Sequence, residues 1–132
     1  MRFAIIATAL YIFTIAGVLS SVRAQSMELS DIRGRWVLDI INGEQVPREP
    51  VIYFEISERD ISGFDGCNDF GGNLEDPTSM RQGQRACLQN NFKLPEPILN
   101  ILSRIRHARR EGDSLIIPLS GGKELTFIRD NR

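Results

Sequence analysis

The stretch Ile61-Ser62-Gly63-Phe64-Asp65-Gly66-Cys67-Asn68-Asp69-Phe70-Gly71-Gly72 constrains the chain more than any other. Four glycines interleave with two phenylalanines, a cysteine and an Asn-Asp pair. Neither a helix interior nor a plain strand accommodates that mixture well. The stretch reads as a strand running into a tight, multiply turned corner. Glycine supplies positive φ and close backbone approach, Asn68 and Asp69 can bond their own backbone, and Phe64 and Phe70 can anchor the turn in a core. The corner is specific in shape, but no reaction follows from it.

Upstream, Met1-Arg2 precedes an apolar run from Phe3 to Leu19, then Ser20-Ser21-Val22-Arg23-Ala24. That order is a charged region, an apolar region and a small-residue cleavage site, which predicts a signal peptide over residues 1–24, removed after Ala24. A retained anchor is the competing reading, but the run is interrupted by Thr8, Thr14 and Gly17 and is short for a membrane span. The mature chain would then be one domain, residues 25–132, periplasmic or secreted, with no transmembrane span. Of 16 basic and 17 acidic residues, Arg2 and Arg23 leave with the leader. The remainder is mildly acidic, so no nucleic-acid partner is expected.

Along the mature chain, Gly34 to Ile41 alternates as a strand, with Trp36, Leu38 and Ile40 on one face and Val37 and Ile41 on the other. Asn42-Gly43 signals a hairpin. Val51 to Ser57 is β-branched and aromatic, and Glu58-Arg59-Asp60 turns it into the strand that carries the glycine corner. Asn73 to Gln84 has Leu74 and Met80 as its sizeable apolar residues and reads as loop, or at best one short edge strand. Pro95-Glu96-Pro97 opens a predicted amphipathic helix reaching about His107, with Ile98, Ile101, Leu102 and Ile105 at i, i+3, i+4 and i+7. Arg104, Arg106 and His107 would fall in its last turn, where cations suit the helix dipole. Ser114 to Leu119 and Lys123 to Ile128 close the chain as strands. The pattern predicts an α+β domain: at least five antiparallel strands curled around one helix, with Trp36, Leu38, Phe54, Ile56, Phe64, Phe70, Leu99, Leu102, Leu115 and Phe127 mostly buried.

These residues resemble the META domain, or HslJ-like heat-shock, family of bacterial envelope and some protozoan proteins. The likeness is carried by Gly34, Trp36 and Leu38 in a Gly-x-Trp-x-Leu opening, and by Gly63, Gly66, Cys67, Asn68, Phe70 and Gly72 in the corner. Ala86-Cys87 and the helix around Glu96, Leu99 and Leu102 complete it. The chain departs from the family pattern at Gly83-Gln84-Arg85, where a threonine is usual. The resemblance implies a small, partly open β-barrel with a helix against it, similar in shape to secretin pilot proteins, and an association with stress or envelope upkeep. It implies no established catalytic activity, no cofactor and no catalytic residues.

Cys67 and Cys87 are the two cysteines, an even count that in an exported chain favours a structural disulfide. Buried thiols, or a redox or metal-binding pair, are the alternatives; there is no Cys-x-x-Cys, and His107 is the one histidine. Asp65, Asn68 and Asp69 could ligate calcium, but turn-forming hydrogen bonds explain them more simply. Glu96 could act as an acid or base, against the simpler reading of an acidic residue in a first helical turn. The run Arg104, Arg106, His107, Arg109 and Arg110 could bind an anionic lipid head, against solvated charges at a helix end. A non-catalytic binding or stability module of the envelope, with an envelope protein or lipid as partner, is therefore the expected function. A hydrolase or redox enzyme is the alternative. An apolar cleft without convergent titratable groups would favour the first, and a polar cleft with perturbed groups the second.

Overall fold

A computed structural model of the chain describes residues 27–87 and 94–132. The expected leader, residues 1–24, lies outside the described residues. After a 3₁₀ turn at Leu29–Ile32, the strands are β1 (Gly34–Ile41), β2 (Glu44–Gln45), β3 (Tyr53–Ser57), β4 (Asp60–Phe64), β5 (Asp69–Asn73) and β6 (Asp76–Gln82). The helix α1 (Ile98–Leu102) and a 3₁₀ turn at Ile105–His107 follow, then β7 (Arg109–Glu111), β8 (Ser114–Pro118) and β9 (Glu124–Asp130). All strands among the described residues belong to one nine-stranded sheet in the order β6-β5-β4-β3-β1-β9-β8-β7, with β2 paired to β1. Every pairing is antiparallel. The sheet is open, with β6 and β7 as its edges. No helix among the described residues is long and apolar enough to cross a membrane.

The Asn42-Gly43 hairpin forms as its sequence predicts, with positive φ at both residues (48° and 85°). One face of the sheet carries the core, in which Trp36, Phe54, Phe127, Leu115, Ile117 and Leu125 are fully buried together with Ile98 and Ile101. Phe54 and Phe127 meet edge to face at 4.8 Å. The buried Trp36 Nε1 donates to the Ile32 carbonyl at 2.9 Å, which ties the N-terminal 3₁₀ turn to β1.

Several expectations need correction. The alternation in β1 holds through Trp36 and Leu38, but the register shifts between Leu38 and Ile40 where β1 meets β9. An irregularity of that kind inverts the inside-outside phase beyond it. Ile41, opposite the buried Leu125, thus packs against the core, and Ile40 pairs with Thr126 instead. Phe64 and Leu99 are partly buried, less completely than the other eight expected core residues.

The helix is shorter than the predicted span from Pro95 to His107. Its apolar residues Ile98, Ile101, Leu102 and Ile105 are buried as the stripe requires, but α1 itself is five residues long. Ser103 Oγ donates to the Asn100 carbonyl at 2.6 Å, competing with the helical ladder. Arg104 then leaves helical geometry at φ −99°, ψ 7°. The stripe continues into the 3₁₀ turn, where Ile105 is buried in the same core as Leu102. The weakly patterned stretch Asn73 to Gln84 contains a full edge strand, β6.

Candidate functional site

Two anchored walls face each other across one opening. The first is the β5–β6 hairpin, held from the glycine corner. Asp65 Oδ1 accepts from the backbone amides of Cys67 at 2.8 Å and Asn68 at 2.6 Å, and the Asp65 amide donates to the Asn68 carbonyl at 3.0 Å. Its other oxygen accepts from Gln82 Nε2 at 2.6 Å, which brings the end of β6 to the corner. Asn68 Oδ1 accepts from the Arg85 amide at 2.6 Å. The Cys67–Cys87 disulfide is formed, with Cα atoms 5.8 Å apart, inside the range such a bond needs. Asp65 and Asn68 are thus turn-builders, while Asp69 sits exposed in β5.

The corner glycines are explained by close packing. Gly63 lies opposite Phe70 in the β4–β5 ladder; a Cβ there would land on the Tyr53 carbonyl oxygen and 2.6 Å from Phe70 Cζ. A Cβ on Gly72 would come within 2.9 Å of Met80 Cα, so Gly72 lets β6 approach β5. Gly66 takes φ 98° at the turn itself. Gly34, at φ 104°, leaves room for the Arg129 guanidinium, 2.9 Å from where its Cβ would stand. That guanidinium lies 4.4 Å above the Trp36 ring.

The second wall is α1 and the turn after it. Glu96 precedes the helix, which has no acidic residue in its first turn, so the dipole reading of Glu96 does not hold. Its Oε2 accepts from Arg104 Nη1 at 2.6 Å, its Oε1 accepts from the Ser120 amide at 3.0 Å, and Arg104 Nη2 donates to Ser120 Oγ at 3.0 Å. This clamp closes the helical segment on itself and on the β8–β9 turn. The Arg104 hydrogen bond, then that of the Ser120 amide, holds the Glu96 carboxyl below the usual carboxylate range. The basic run is likewise dispersed. Arg109 pairs with Glu111 and Glu124, both at 3.0 Å, and Arg110 donates to the Asp31 carbonyl at 2.6 Å and to that of Gly112. Arg106 and His107 lie in the 3₁₀ turn beyond α1, whose own last turn holds no basic residue.

Between the walls lies a cleft of about 260 Å³ lined by Leu74, Pro77 and Met80 from the hairpin and by Leu99, Leu102 and Ile105 from the helical side. Asn73, Ser103 and Arg106 complete its lining. Arg106 is the sole ionisable residue among these, and none of the groups with displaced titration (Glu96, Arg109, Glu124 and Asp130) lines it. Sequence reasoning singled out Leu74 and Met80 as apolar residues in a polar stretch without seeing that they face Leu99. A second depression, of about 380 Å³, lies beside Val37, Val51 and Ile128 and carries Asp39, Arg48 and Arg132 in its lining. It is more mixed in character than the cleft. No group of three or more metal-ligating side chains occurs among the described residues.

An open antiparallel sheet with a short helix on its core face, and a cleft between its edge hairpin and that helix, places the protein among small α+β domains. A family model for the META domain matches residues 27–132; the chain belongs to the META domain family. It is similar to a solved NMR structure of a protein from Burkholderia xenovorans, with 20% identity, 100% of each chain covered and a TM-score of 0.58. That likeness is one of fold. No curated protein matches the chain.

Proposed function

We propose that the protein is an exported, non-catalytic binding module that serves envelope upkeep by holding an apolar chain segment in the cleft between the β5–β6 hairpin and α1. The observation that carries this reading is the cleft's lining: six apolar side chains from two separately anchored walls, with Arg106 as the one ionisable neighbour. Convergent acid, base and nucleophile side chains are what chemistry would need; the lining holds the Ser103 hydroxyl, which donates to the Asn100 carbonyl, and no carboxylate, histidine, lysine or cysteine. The groups with displaced pKa, Glu96, Arg109, Glu124 and Asp130, lie outside this lining, in arginine–carboxylate ion pairs. At about 260 Å³ the cleft is smaller than a pocket for a whole drug-sized ligand, which starts at about 300 Å³. It suits a segment of an alkyl chain.

Titration of methyl-labelled protein with a neutral alkyl glycoside below its micelle concentration tests the reading. Saturable shifts should concentrate on Leu74, Met80, Leu99, Leu102 and Ile105, and Leu99→Gln should weaken binding by about tenfold. Shifts that never saturate, or that spread evenly over the surface, would sink it. Export has its own test. The signal-peptide pattern leads to native protein whose N-terminal sequence starts at Gln25, and recovery of an intact Met1 form from membranes would contradict it.

A further inference from the structure

The apolar cleft does not end at its own walls. Arg106 lines both it and an adjoining polar pocket of about 390 Å³, and the neighbours Leu74 and Glu75 line one each. Into that polar pocket project Arg33, Glu28, Glu58 and the Arg59–Glu75 ion pair, the last at 3.3 Å. The side chains of Arg33, Arg106, Glu28 and Glu58 have no ion-pair partner among the described residues.

A cleft too small for a whole ligand, opening onto a pocket with two uncommitted cations and two uncommitted anions, selects for a particular kind of molecule. A purely anionic head would face Glu28 and Glu58, and a purely cationic one would face Arg33 and Arg106. Like-charge approaches of that kind are penalised. A head carrying both charges meets a complement for each. We infer that the site takes a single-chain amphiphile with a zwitterionic head group, its tail in the apolar cleft and its head between Arg33, Arg106, Glu28 and Glu58. This inference rests on the cleft being the binding site proposed above.

The test compares three amphiphiles of equal alkyl length, an alkyl phosphocholine, an alkyl maltoside and an alkyl sulfate, titrated below their micelle concentrations into protein expressed from the full sequence. The phosphocholine should bind about tenfold more tightly than the maltoside, the scale of one charge-assisted hydrogen bond. The sulfate should gain no such advantage. Arg106→Gln and Glu58→Gln should each bring the phosphocholine-to-maltoside affinity ratio toward one, whereas damage to the fold would lower both affinities together. Equal affinities for all three heads would overturn the head-group assignment and leave the apolar cleft standing, and so would tightest binding of the sulfate. Failure of all three to bind would overturn the cleft reading itself.

Discussion

The side chain of Asn68 and the backbone of Arg85, 17 residues apart in sequence, are joined by a 2.6 Å hydrogen bond from the Arg85 amide to Asn68 Oδ1. Two residues on, Cys87 is bonded to Cys67, the neighbour of Asn68. The segment that follows β6 is exposed from Gly83 to Cys87, so little apolar burial offsets its ordering entropy. The covalent link and the Asn68 bond supply that restraint.

Reduction of the disulfide, or its replacement by a pair of serines, should therefore cost about 2 to 5 kcal/mol of stability. Asn68→Ala should cost about 0.5 to 1.5 kcal/mol, since the freed Arg85 amide is exposed and can bond water. Urea denaturation of the oxidised, reduced and substituted proteins measures both. An unchanged midpoint on reduction would mean that the segment is held by something else.

Glu96 gives the fold a dependence on acid. Its folded-state pKa is depressed by the Arg104 and Ser120 hydrogen bonds. The stability that the ionised carboxylate contributes is present above the unfolded-state pKa and lost as pH falls through the lower folded value. Urea midpoints of the native protein and Glu96→Gln should differ by a constant amount at neutral pH and converge as pH drops below the ordinary glutamate value of 4.5. A difference that grows on acidification would contradict the clamp.

Gly63 is held to glycine by sterics alone, because its backbone does not adopt positive φ. Gly63→Ala should cost about 1 to 3 kcal/mol or more, as overpacking of a rigid site does, because the Tyr53 carbonyl in the paired strand cannot withdraw. At Gly43, where a Cβ meets nothing within 4 Å but φ is +85°, alanine pays backbone strain of about 1 kcal/mol. Thermal unfolding of both variants separates the two causes; a stability of Gly63→Ala equal to the native value would show that the Phe70 ring does not pack as described.

The corner was legible because its glycines, Asp65 and Asn68 act locally, through turns within a few residues. The core was legible where alternation continued, from Phe54 and Ile56 to Leu115 and Phe127. The Leu38 to Ile40 register shift left no compositional trace, so the faces of Ile40 and Ile41 were read in reverse. The helix was overread because an i, i+3, i+4, i+7 stripe serves an α-helix and a broken α-to-3₁₀ segment equally well, and the break depends on Ser103 and Arg104 side-chain bonds. β6 was legible only as the lesser of two readings, a short edge strand, for a related reason. Its order comes from bonds such as Ser79 Oγ accepting from the Asn73 amide at 2.7 Å and Arg81 Nη1 donating to the Thr78 carbonyl at 2.9 Å, which no hydropathy pattern encodes. The cleft needed Leu74 and Met80 to come opposite Leu99 and Leu102 across one opening, a long-range juxtaposition that depends on both walls.

The cleft is tested most directly by intermolecular nuclear Overhauser contacts between a bound alkyl chain and the protein's methyl groups. The alkyl protons should contact Leu74, Met80 and Leu99 at one end of the sheet. Contacts to Val37, Val51 and Ile128 in their place would put the ligand in the second depression and contradict the assignment of the cleft between the β5–β6 hairpin and α1 as the binding site.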